Sequence, residues 1–461
     1  MKLGSLLLMS GLALGQAMPN LQLHIPNAVG LGWGVSLHGN FNMMGGYSAG
    51  DVLDVSALPG VDCTGATDSS TALNRAFDSR RGGNINGKLV LVPTACNLRV
   101  DHQVIVFGQS NFVIDGGGRP GGGLFGCNGS SGAVLLVNRS GHGELRGLNI
   151  YAKGASCTSK FTRSILVSNA NTGSGVTTTD LKFVDMALHT GGGSVQIPNY
   201  VGIQWGINGE VNNEDMRLID SSVSCSNSTN SYGIDIEGGN SDDNEGYHNI
   251  INGCFQGVRI FAGGGRFTNN KFGGNGAFSV FGTGGGTFWV RGCAVPLDII
   301  GNEAAEGSGQ FINSNNDQGG FGCQMFIAGN QWTSPDIATN VYPVNLNPGG
   351  ADAQVVVGNS FNANGTTSMP IIGSDHRSPS GPLGSLVEFG NEVLHDTYGL
   401  LGSTPFRAGM FSMASGFPHT LPKTPSTSSD TCVAGAMWND ANYIYVCTST
   451  NTIKRAALTK F

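Results

Sequence analysis

Along most of this chain, apolar and polar residues alternate in short runs, and each run stops at Gly, Asn or Ser. Period-two alternation is the pattern of a half-buried strand, and the stops are residues that favour tight turns. One segment breaks the rhythm. In "GATDSSTALNRAFDSRRG", residues 65–82, Ala72, Leu73, Ala76 and Phe77 recur every three to four positions behind Asp68, Ser69 and Ser70. That predicts one isolated amphipathic helix with a capping residue at its start.

The strand-and-turn units repeat. "LRGLNIYAKG" near 148, "LKFVDMALH" near 184, "MRLIDSSVS" near 219, "DIIGNEAAE" near 302 and "VVVGNSFNA" near 359 belong to one series, with most steps of 28 to 36 residues and one of 18. Gly-Asn closes the later units, at Gly301-Asn302, Gly329-Asn330, Gly358-Asn359 and Gly390-Asn391. A fixed period with one strand–turn signature per unit predicts a solenoid. The expected form is an all-β parallel β-helix of about ten coils over residues 51–400; an irregular β-sandwich with accidental spacing is the alternative. Asn at each bend is expected to take the left-handed conformation and to bond to the Asn stacked above it. The early helix then has a task, because the open end of such a stack exposes unpaired strand edges and apolar core that a cap must cover.

The same stretch carries a family resemblance. "DVSALPGVDCTGATDSSTALNRAF…GKLVLVPTACNLRV" resembles the opening of the pectate-lyase-like superfamily of right-handed parallel β-helices, which includes rhamnogalacturonase- and epimerase-like proteins and phage tailspikes. Asp54-Val55, Asp68, Thr71-Ala72-Leu73, Ala76 and Pro93 match that opening, whereas Ala95 and Leu98 stand where Gly and Tyr are usual. The resemblance implies a right-handed coil with an N-terminal capping α-helix. It implies little about chemistry, because one fold hosts many functions.

Composition narrows the class. The chain has 461 residues, 74 of them Gly, with only 12% charged and a net charge of −7. The mild acidity and the lack of a basic stripe give no support for a nucleic-acid partner. Residues 1–17 (Lys2, the apolar run Leu3 to Leu14, then Gly15-Gln16-Ala17) read as a signal peptide, too short an apolar run to be a membrane span. A secreted or cell-surface location follows.

Ten cysteines agree with export. Taken in sequence order, Cys63 and Cys96, Cys127 and Cys157, Cys225 and Cys254, and Cys293 and Cys323 are 33, 30, 29 and 30 residues apart, and Cys432 and Cys447 are 15 apart. Spacing close to the repeat favours disulfides between neighbouring coils, although spacing alone does not fix connectivity. Residues 18–50, with Trp33 and Phe41, read as a lead-in segment. Residues 401–430 are a Pro/Ser/Thr-rich linker, and 431–461 a small C-terminal β-hairpin module stapled by Cys432 and Cys447. That module resembles those ending tail-fibre and surface proteins, which leaves attachment, assembly into a homotrimer or fibre, or simple capping open.

Candidate chemistry gathers in "DIEGGNSDDNEGYHN", where Asp235, Glu237, Asp242, Asp243 and Glu245 place five carboxylates in eleven residues of a chain with 31 in 461. His248 and Arg259 follow. The cluster reads as Ca²⁺ ligands (Asp242, Asp243, Glu245), as the acid and base of a glycosidase, or as a solvated acidic loop. The catalytic candidates are Asp235, Glu237, Asp242, Asp243, His248 and Arg259. Trp205 and Trp289, at similar offsets from repeat positions, are candidate sugar platforms on neighbouring coils, with burial in the core as the alternative. His142, Glu144 and Arg146 read as a surface ion-pair row and His395-Asp396 as a lone structural pair. Asp242-Asp243, His248 and Arg259-Ile260 match fragments of the β-helix polygalacturonase motifs, but the Asn-Thr-Asp and Lys elements are missing, so that activity is not carried over. The sequence thus points to a secreted protein that binds extracellular polysaccharide and acts on it as a lyase or glycosidase, with Ca²⁺ as the one cofactor in view. The alternative is a non-catalytic surface or fibre protein, adhesive or tailspike-like.

Overall fold

The computed structural model describes residues 51–458 apart from connecting segments, chiefly 170–176, 276–285, 315–323, 335–342, 347–352, 364–371, 374–384, 395–410, 414–424 and 433–436, with shorter stretches of one to four residues between strands. The expected signal peptide, the lead-in with Trp33 and Phe41, and His395-Asp396 lie outside the described residues.

Among the described residues, nearly every strand of the repeat pairs in parallel with the strand one coil away, giving three sheets of 13, 10 and 11 strands, here called A, B and C. One coil runs through A, C and B in turn: Asn213–Ile219 in A, Ser222–Ser224 in C, Tyr232–Ile236 in B, then Asn244–Tyr247 back in A one rung on. This is the right-handed parallel β-helix. Alternation puts one side of each strand into a shared core, so that Ile203, Ile234, Val258, Phe288 and Ile312 of sheet B form a continuous buried column. Phe288 stands at the centre of an aromatic cluster, edge-on to Phe267, Phe272 and Phe311 at ring distances of 5.8, 5.2 and 5.8 Å.

The isolated helix forms where expected, as α1, Ser70–Phe77. It buries Ala72, Leu73 and Phe77 against the first strand of sheet B, Val104–Phe107. Asn74 is buried on the same face: its Nδ2 donates to the Gln103 carbonyl (2.9 Å) and its Oδ1 accepts from the Ile105 N–H (2.7 Å). A side-chain amide thereby supplies the donor and acceptor that a further strand would have supplied to this edge. The N-terminal bond comes from Asp68, whose Oδ1 accepts from the N–H groups of Ser70 (3.0 Å) and Asp101 (2.9 Å), and not from Ser69, which makes no side-chain capping bond.

At the corner between sheets A and C, Asn249, Asn270, Asn302, Asn330, Asn359 and Asn391 stack on successive coils. The Asn302 N–H and Nδ2 both donate to Asn330 Oδ1, at 2.9 and 3.0 Å, and Nδ2 also reaches the Phe267 carbonyl at 2.9 Å. The pattern repeats down the ladder. Asparagine bonds to the Asn above as expected, but the left-handed residue is the one before it, His248 and Asn269 and then Gly301, Gly329, Gly358 and Gly390; on earlier coils Asp185 and Asp220 take that conformation ahead of Met186 and Ser221. The turn needs positive φ one position earlier, which leaves the Asn side chain free to point inward.

Cys63–Cys96, Cys127–Cys157 and Cys225–Cys254 are disulfides, and Cys432–Cys447 is a fourth. Cys293 is also disulfide-bonded, while Cys323 lies outside the described residues. Near the C-terminus, Met437–Asn439, Tyr443–Ser449 and Thr452–Ala457 make an antiparallel sheet around Tyr445, Ile453 and the Cys432–Cys447 pair. No helix among the described residues is long and apolar enough to cross a membrane.

Candidate functional site

Sheet B carries the candidate site on its outward row. Trp205, Ile236, Ile260 and Val290 face the core with the column described above, so the residues between, Gln204, Asp235, Arg259, Trp289 and Asn313, face away from it on successive rungs. Rungs lie about 4.8 Å apart, which puts consecutive side chains of this row in contact range.

Asp235 and Arg259 use that range fully. Arg259 donates from Nε and Nη2 to the two oxygens of Asp235 at 2.7 and 2.6 Å, and its Nη2 donates also to Glu237 Oε1. The guanidinium lies over the Tyr232 ring, 4.1 Å from its centre. Glu237 Oε2 accepts from Gln204 Nε2 at 3.0 Å, and Gln204 Oε1 accepts from Arg163 Nε. Beyond Arg259, the next rung presents Trp289, with the Arg291 guanidinium 5.0 Å from its ring centre.

The three charged groups differ in access. The Asp235 side chain is 1% exposed, Arg259 13% and Glu237 20%. Burial pushes the Asp235 carboxyl up to about 6 although Arg259 opposes the shift. Burial works against the Arg259 cation, but the Asp235 carboxylate outweighs it and holds the guanidinium above its ordinary value. The Tyr232 hydroxyl is also pushed up, chiefly by burial. Two carboxylates share one guanidinium, and no bond runs from Arg259 Nη1 to another described residue.

Of the residues singled out from sequence, Asp235, Glu237, Arg259 and Trp289 meet on this face. The others that are described do not join them. Trp205 is fully buried and pairs with Ile236, so it is a core residue; the outward residue below Asp235 is Gln204. The offsets, 14 residues to Ile219 and 15 to Asn252, run to positions that do not stack, because Ile219 pairs with Tyr247 in sheet A and Asn252 with Ser224 in sheet C, and a register error of one residue turns a side chain to the other face. Asp243 is exposed at the corner before sheet A. Glu245 sits on sheet A with Arg217 3.8 Å away, and His248 Nδ1 is 2.6 Å from Asp220 at the following corner. Asp242 lies outside the described residues. No set of three His, Cys, Asp or Glu capable of holding a metal forms among the described residues, and Glu245 is turned toward an arginine. His142 pairs with Asp180 at 3.0 Å, and Arg146 bridges Glu144 (3.1 Å) and Asp115 (2.9 Å), which are surface ion pairs of the expected kind. Sequence reasoning missed Arg163, Gln204, Tyr232 and Arg291; a correct rung register would have found Gln204.

No protein-family model matches the chain, and no curated protein matches it. Among solved structures it is similar to ORF18 of Geobacillus virus E2, at 14% identity and a TM-score of 0.48 over 95% of this chain and 92% of that one. It is similar also to an endo-xylogalacturonan hydrolase from Aspergillus tubingensis, at 15% identity and 0.45 over 84% and 99%. An alginate lyase from Paenibacillus sp. is a third, at 12% identity and 0.43 over 77% and 99%. It is the order of three parallel sheets, and not these likenesses, that makes the chain a right-handed parallel β-helix.

Proposed function

We propose that the outward face of sheet B binds an extracellular polysaccharide along the rungs and cleaves it, with Glu237 as the carboxylate that meets the substrate. One observation carries this reading: on a single outward row, a buried carboxylate (Asp235), the arginine it fixes (Arg259) and an aromatic ring (Trp289) occupy consecutive rungs, with Glu237 on the same guanidinium. Aromatic faces and fixed charges in register suit a sugar chain better than a compact ligand. Asp235 is too enclosed to touch a polymer; it holds Arg259, whose Nη1 can donate to a sugar oxygen. Cleavage either adds water across the glycosidic bond, or takes a proton from the ring carbon beside a uronate carboxyl and breaks the bond to the glycosidic oxygen, which is protonated as it leaves, so that a double bond remains in the product. The four disulfides between described residues suit an oxidising, extracellular setting, secreted or cell-surface.

A panel of acidic and neutral polysaccharides tests the reading by new reducing ends, with absorbance at about 235 nm separating elimination from hydrolysis and an EDTA arm testing for a metal. Glu237→Gln is expected to abolish product. Full turnover by that variant would overturn the assignment. A second reading rests on the fact that both carboxylates are already paired to Arg259, as in a purely structural ion pair: a non-catalytic surface or fibre protein. Glycan binding without product on any substrate, unchanged in Glu237→Gln, is the outcome that selects it.

A further inference from the structure

We infer that Arg163 and Gln204 form a positioning relay that fixes the orientation of Glu237 from the rungs below it; the inference rests on the reading of Glu237 given above. Arg163 begins the strand Arg163–Ser168, Gln204 lies in the next, Val201–Trp205, and Glu237 follows the next again, Tyr232–Ile236. Glu237 is the only one of the three beyond a strand end; its N–H still donates to the Trp205 carbonyl at 3.0 Å, so what remains to be set is the rotation of its side chain.

The donor inventory decides how the relay works. A guanidinium can only donate, so the bond from Arg163 Nε obliges Gln204 to present its oxygen to Arg163. The amide is planar, so Nε2 must then face the other way, toward Glu237 Oε2, where it donates at 3.0 Å. Arg163 thereby removes the flip that a glutamine otherwise has available. Gln204 is 1% exposed, which denies it water as a substitute partner. With Arg259 on Oε1 and Gln204 on Oε2, both oxygens of Glu237 are held, one by a cation and one by a neutral amide. The pair sets the rotation of the carboxylate without adding a second formal charge to it. Neither residue touches the sugar in this arrangement; both act through Glu237.

The relay is tested with Gln204→Leu, Arg163→Met and Arg163→Lys in the full-length protein. On whichever polysaccharide of the panel is turned over, Gln204→Leu should lower kcat by about a hundredfold, the loss that goes with a reacting group about 1 Å out of place. KM should stay within about twofold. Arg163→Met should lower kcat by less, because the amide still finds Glu237 in one of its two orientations, and Arg163→Lys, which keeps a donor, should restore it. A residue that only supports the fold would not give this split or this rescue. A second readout needs no substrate: carbodiimide coupling of an amine to Glu237, mapped by mass spectrometry, should rise severalfold in Gln204→Leu and Arg163→Met and stay at the wild-type level in Arg163→Lys. If Gln204→Leu fails to fold, Arg163→Met, at a partly exposed position, carries the test. Inactive Glu237→Gln together with wild-type kcat and labelling in both Gln204→Leu and Arg163→Met overturns the relay and leaves Glu237 in its role. Full activity in Glu237→Gln overturns the role itself. With no turnover on any substrate, unchanged labelling is sufficient to reject the relay.

Discussion

Removing Arg259 isolates the carboxylate it holds, and the cost can be worked from the geometry. Asp235 is 1% exposed and both of its oxygens bond to Arg259, at 2.7 and 2.6 Å. Breaking a buried pair by deleting one partner costs about 3–5 kcal/mol, because the remaining charge keeps its burial and loses its compensation. The loss depends on pH. Burial already raises Asp235 from 3.8 to about 6, so the folded chain binds this proton more tightly than the unfolded chain. Stability from this group is therefore full below the unfolded value and is lost as pH rises through the folded one. Without Arg259 the folded value climbs further. Arg259→Met should then differ from the wild type by less than about 1 kcal/mol at pH 4, where Asp235 is protonated in both, and by about 3–5 kcal/mol at pH 8. Asp235→Asn in the Arg259→Met background should recover most of the difference at pH 8. Hydrogen exchange of the strands Tyr232–Ile236 and Gln256–Ile260 reads the local free energy, and urea unfolding followed by tryptophan fluorescence reads the whole. Equal destabilisation at both pH values, or no recovery from Asp235→Asn, would refute the account.

The two tryptophans should separate cleanly. Trp205→Ala should cost about 3–5 kcal/mol in unfolding experiments, whereas Trp289→Ala should cost less and weaken polysaccharide binding at least about tenfold, each aromatic platform contributing about 1 kcal/mol or more; the reverse ranking would remove Trp289 from the site. Asn330→Leu leaves the Asn302 N–H and Nδ2 without their acceptor and the Ile299 carbonyl without its donor. At about 1–3 kcal/mol for each orphaned group, exchange at Asn302 and its flanking strands should quicken well before global unfolding, and unchanged protection would show that the ladder is dispensable. Leu73→Ala, at the centre of the buried face of α1, should cost about 2–5 kcal/mol and open residues 65–82 to limited proteolysis, with aggregation through the uncovered end; an uncut, monomeric variant would count against the cap.

How much of this was legible in the sequence depends on the range of each signal. The helix α1 was readable because its periodicity and its start are local, and the coil because Asn and Gly recur where every turn meets the same steric demand. Rung register was not readable to one residue. Along the Asn ladder, successive partners are 21, 32, 28, 29 and 32 residues apart, so an average period cannot say which neighbour lies above a given side chain. That is how Trp205 was read onto a face it does not occupy. The acidic cluster illustrates the same limit. Asp243, Glu245 and His248 follow Asp235 closely in sequence, but the chain turns a corner between Ile236 and Asn244 and carries them to sheet A. Arg259, 24 residues on, returns to bond with Asp235. Gln204 left no trace because a neutral amide has no signature until its register is known.

The asparagine corner has a consequence for how such a chain can grow. Within the ladder each residue bonds to the one above and the one below, and Asn330 and Asn359 are equivalent acceptors for the coil beneath them. Excising residues 331–359 would remove one full turn with no cysteine in it, let Asn330 close onto Asn391, and shorten the rod by about 4.8 Å. The rungs that hold Arg163, Gln204, Asp235 and Arg259 would be untouched. Rod length and the chemistry of sheet B's outward row are thus separate dimensions of this architecture, and whole-turn duplication can reset the reach of the molecule while its working face stays as it is.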